Sequence, residues 1–168
     1  MNVQEFLVFF RNDIPNSDNT ESTFDDYQKW HPIFFELTSN FHQKVKQSYF
    51  EQTNKLVDEN DFQKYNGIGT LSEFAYLGLF EEDDEVEFSN LIRKLTNKLD
   101  KTENESEIKD ILDFIYSLAD FLLHEYYPEK ESELRKTLIE LKMKIQEKNK
   151  LDCENIGELV IRFIDLMI

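Results

Sequence analysis

Residues 105–127, ESEIKDILDFIYSLADFLLHEYY, decide the fold class. Ile108, Ile111, Leu112, Ile115, Leu118, Ala119, Leu122 and Leu123 recur at the three- and four-residue spacing of one helix face. Phe114 and Phe121 widen that stripe. An apolar stripe so broad predicts a helix buried over much of its circumference, at the centre of a helical core. Asn104 is placed to cap its first turn, and Pro128 ends it. The chain holds only Gly 4 and Pro 3 in 168 residues, too few turn formers for a strand-rich domain. Abundant Glu, Lys and Leu favour helices instead.

The pattern repeats on either side. Residues 129–150 carry Leu134, Leu138, Leu141 and Ile145 on one face, with seven Lys or Arg against five Glu. After a connector at 151–155, residues 154–168 close the chain with Ile156, Leu159, Val160, Phe163, Ile164 and Met167. Upstream, Phe88, Leu91, Ile92, Leu95 and Leu99 form the buried face of a helix that Asp83 or Asp84 can cap. Thr70 and Glu73 have capping-box spacing ahead of a helix at 71–80. Residues 60–68 read as a connector. Residues 33–58 present Ile33, Phe34, Leu37, Phe41, Val45, Tyr49 and Leu56. Residues 24–30 form a short helix stopped at His31-Pro32, and residues 3–11 form another, or an edge strand at 6–10. The expectation is an all-α chain: residues 1–168 as a single helical domain, an irregular bundle of about seven or eight helices.

Charge then narrows function. The formal net charge is −16, while hydrophobic content is 40% and aromatic content 14%, so the chain can fold rather than stay an acidic coil. The acids are not spread evenly. Residues 65–92 hold no Lys or Arg and carry Glu73, Glu81, Glu82, Asp83, Asp84, Glu85 and Glu87. Residues 12–28 also lack Lys and Arg and carry Asp13, Asp18, Glu21, Asp25 and Asp26. Together these windows account for −12 of the −16. Such a field opposes direct binding to nucleic-acid phosphates and to anionic membranes, and draws in cationic partners. The first residues, MNVQEFLVFFRND, lack the basic start and small-residue cleavage site of a secretion signal. No apolar run reaches the roughly 20 residues of a membrane span. Cys153 stands alone, without an internal disulfide partner. A cytoplasmic location is expected.

Catalytic signals are weak by comparison. His31, His42 and His124 do not pair at helical spacing, and Asp120 with His124 supplies only half of what zinc needs. Asn66-Gly67-Ile68-Gly69-Thr70 has no Lys after it and no strand before it, unlike a phosphate loop. Asp152 and Glu154 flank Cys153 and disfavour its thiolate. No catalytic residue, metal or cofactor is therefore expected, and the chain is not expected to be an enzyme.

In size, charge and helical content the chain resembles the small acidic immunity proteins of bacterial toxin–immunity systems, including those of contact-dependent growth inhibition. That resemblance implies a cytoplasmic, partner-specific inhibitor of a cationic protein, a toxin nuclease domain, whose basic cleft an acidic surface can fill. The residues expected to touch it are Glu81, Glu82, Asp83, Asp84, Glu85 and Glu87, with Asp25, Asp26 and Trp30 as a second group. The plain alternative is that the acidic run is a solvated helix start and that Trp30 packs on the core. Two other functions compete. A nucleic-acid mimic of the anti-restriction or anti-CRISPR type needs carboxylates in phosphate-like rows. A small helical carboxylate or metal enzyme needs a ligand or acid–base constellation.

Overall fold

A computed structural model describes residues 23–62, 80–125, 132–148 and 156–168. Those residues form helices α1 (Thr23–Asp58), α2 (Glu85–Lys101), α3 (Glu105–Glu125), α4 (Glu133–Lys148) and α5 (Ile156–Met167). One 3₁₀ turn, Glu82–Asp84, leads into α2. The chain is all-α among the described residues. The helices expected at 3–11 and 71–80 lie outside them. By backbone packing the chain falls into two compact units, Met1–Phe80 and Glu81–Ile168.

In the first unit the expected stop at His31-Pro32 does not occur, and α1 stays helical through Pro32. A proline inside a helix removes one backbone bond, and here the helix carries on past that loss. The break falls at Phe41, whose φ of −134° and ψ of 34° leave the helical region. Thr38, Ser39 and Asn40, all weak helix formers, precede it, and Thr38 Oγ1 donates to the Phe35 carbonyl at 3.1 Å. Phe41 was expected on the buried face but is 45% exposed. Beyond the break the face is as expected: Val45, Tyr49 and Leu56 are buried, together with Phe50 and Val57. Tyr49, Phe50 and Phe80 pack edge to face, with ring centroids 5.3–5.8 Å apart. At the helix end Asn60 takes a left-handed φ of 55°. The Asp61 amide then reaches the Leu56 carbonyl at 2.9 Å, and that of Asn60 reaches Val57 at 3.2 Å. This Schellman closure explains why α1 stops at Asp58 without a glycine.

The second unit is a four-helix bundle in which α2, α3, α5 and α4 follow one another around a ring. Phe88 near the start of α2 meets Phe121 near the end of α3, so these two run antiparallel. The Leu134 amide bonds Glu85 at one end, while Lys144 and Lys148 reach Asp100 and Thr102 at the other. Helices α2 and α4 are therefore parallel. Arg135 donates to the main-chain oxygen of Ile168, and Lys142 pairs with Asp165, so α5 runs back along α4. It follows that the starts of α2 and α4 share one end of the bundle with the finishes of α3 and α5. Consecutive in sequence, α3 and α4 are not neighbours in the ring.

The core is the one periodicity predicts. Phe88, Leu91, Ile92, Leu95 and Leu99 are fully or almost fully buried. So are all the predicted apolar residues of α3 from Ile108 to Leu123, and Leu134, Leu138, Leu141 and Ile145 of α4. Full burial of each such side chain contributes about 1.5–3 kcal/mol. In α5, Val160, Ile164 and Met167 face inward, but Leu159 does not, being 39% exposed. Asn104 caps α3 as expected: its Oδ1 accepts from the Ser106 and Glu107 amides at 2.9 and 3.2 Å.

Candidate functional site

The acidic run sits where the second unit begins, and backbone geometry sorts its carboxylates into two kinds. Asp84 closes the 3₁₀ turn. Its Oδ2 reaches back to accept from the Glu81 amide at 2.7 Å, while its own amide donates to the Glu81 carbonyl at 3.0 Å. The side chain is pinned inward and only 5% exposed. Asp84 is at the N-cap position of α2 but makes no side-chain bond to that helix, so the expected capping role is corrected to fixing the preceding turn. Glu85, the first residue of α2, is half-buried, and its Oε1 accepts from the Leu134 amide at 3.0 Å. That amide is one of the unsatisfied donors in the first turn of α4, where a carboxylate also meets the positive end of the helix dipole. Ser132 Oγ satisfies another of these donors, the Arg135 amide, at 3.1 Å. Asp84 and Glu85 therefore build the fold, and their presence needs no partner.

The rest of the run faces water. Glu81, Glu82, Asp83 and Glu87 are exposed, and so are Val86 and Asn90. Asp83, Val86, Glu87 and Asn90 follow the i, i+3, i+4, i+7 spacing of one face at the start of α2. Val86 is 59% exposed, an apolar side chain set among carboxylates. Among the described residues Asp83 and Glu87 make no hydrogen bond or ion pair. The first cation downstream, Arg93, is turned across to Glu133 of α4 and also donates to Asn90 Oδ1 at 3.5 Å. These acids thus form a short ledge on the turn and first turn of α2, held by the Asp84 and Glu85 bonds behind it.

The opposite end of the bundle is treated differently. There Lys144 bridges Asp100 and Glu147, each at 2.7 Å, and Lys148 pairs with Glu103 at 2.6 Å. Lys148 also donates to the Thr102 carbonyl at 2.9 Å. The hydrogen bond to Asp100, followed by that to Glu147, raises the Lys144 pKa from the ordinary 10.5 to about 12. The same bond and the nearby Lys144 charge lower that of Asp100. Lys144 and Lys148, two of the basic residues of α4, are therefore spent on acids at the far end, not on the ledge.

Asp25, Asp26 and Trp30 fall within the helical backbone of α1, in the first unit, and their side chains lie outside the described residues. The His124 side chain, Cys153 and residues 66–70 are likewise outside them. No group of three or more His, Cys, Asp or Glu among the described residues is arranged to hold a metal ion. No described helix is long and apolar enough to cross a membrane. Val86 and the tertiary role of Glu85 carried no sequence signal, since the Glu85 bond spans 49 positions and joins two separate helices. No protein-family model, curated protein or solved structure matches this chain.

Proposed function

We propose that this chain is an acidic binding protein that neutralises a cationic partner enzyme, as an immunity protein occluding the basic cleft of a nuclease toxin in the cytoplasm. The observation that carries this reading is the ledge of Glu81, Glu82, Asp83 and Glu87, exposed on a stiff helix start after Asp84 and Glu85 have been committed to the fold. Like charges held this close repel one another, and helix capping requires only one or two of them. A cationic surface would relieve that repulsion and gain long-range attraction during encounter. The ledge is local: Lys142, Lys144 and Lys148 interrupt the acids of α4 and its neighbours, which fits a docking patch better than a row imitating phosphates. Occlusion of this kind requires no chemistry from the inhibitor.

The test is neutralisation. The product of the adjacent reading frame is expressed with and without this chain, and cell growth and nuclease activity are followed. Growth rescue by the wild-type chain is expected, with loss of rescue on combining Glu82→Lys, Asp83→Lys and Glu87→Lys. No rescue, or rescue undiminished by those substitutions, would refute the reading.

A further inference from the structure

We draw no further inference here: the strongest candidate, the partly exposed apolar face that Leu159, Phe163 and Leu166 of α5 form beside Tyr116 of α3, carries nothing because nothing in the structure shows what covers it.

Discussion

Replacing Glu85 should separate the architectural acids from the exposed ones. Its carboxylate accepts from the Leu134 amide at 3.0 Å, at the start of a helix that begins 48 residues later. Glu85→Ala removes a charge-assisted hydrogen bond, worth about 1.5–3 kcal/mol when well shielded and less at a half-buried site. It also removes a negative charge from the first turns of α2 and α4, each interaction worth about 0.3–1 kcal/mol. Against this, Ala gains a few tenths of a kcal/mol in helix propensity, and repulsion from Glu81, Glu82 and Glu87 is relieved by about as much. The expected net loss is about 1.5 kcal/mol. With a urea dependence near 1.5 kcal/mol per molar, the unfolding midpoint should fall by about 1 M. Glu85→Gln keeps an acceptor oxygen and should lose about half as much. Glu82→Ala and Asp83→Ala, at exposed positions, should stay within about 0.5 kcal/mol of wild type. Urea titrations followed by circular dichroism measure all four. If Glu85→Ala falls inside the band of Glu82→Ala, the structural assignment of Glu85 is wrong.

Ser89 is fully buried and its hydroxyl has no hydrogen-bond partner, so Ser89→Ala should raise stability by about 1 kcal/mol, read as a later urea midpoint; an earlier midpoint would show that the hydroxyl is satisfied. The Asp100–Lys144 pair gives a pH signature. Because the Asp100 pKa is lowered in the folded state, its contribution is present above the ordinary 3.8 and is lost as pH falls through the folded value. Lys144, raised to about 12, keeps its contribution below 10.5 and loses it only as pH climbs through that higher value. The midpoint difference between wild type and Asp100→Asn should thus be flat from pH 5 to pH 10 and close below the carboxylate range; a difference that persists at low pH would contradict the pair. The exposed setting and added salt should make that difference small.

Much of the second unit was legible because its signal is local and periodic. The apolar positions of 88–99, 105–123 and 134–145 became the core with the predicted facing, and Asn104 became the predicted cap. What periodicity cannot carry is which helices become neighbours. Nothing within α3 or α4 announces that they are not adjacent in the ring, and that arrangement is what brings Glu85 to Leu134. The acidic run showed the same limit. Composition marked Glu81 to Glu87 as a block, but Asp84 and Glu85 differ from their neighbours only through the directions the turn gives their side chains. In α1 the proline at 32 outweighed its surroundings in the sequence-based expectation, and three weak helix formers before Phe41 were underweighted. Leu159 is one of the apolar residues that mark the closing helix, yet unlike Val160 and Ile164 it is 39% exposed, which apolar content alone does not reveal.

Capture of a cationic protein by the exposed carboxylates at the start of α2, as proposed, would be read in the association rate with the adjacent-frame product, measured by stopped flow across ionic strength. For the wild-type chain the rate should fall by about 10- to 100-fold between low and high salt, as the Debye length shrinks from about 30 Å to about 3 Å. For the chain carrying Glu82→Lys, Asp83→Lys and Glu87→Lys, the rate should be slow at low salt and nearly independent of salt. Equal rates and equal salt slopes for the two chains would contradict the account.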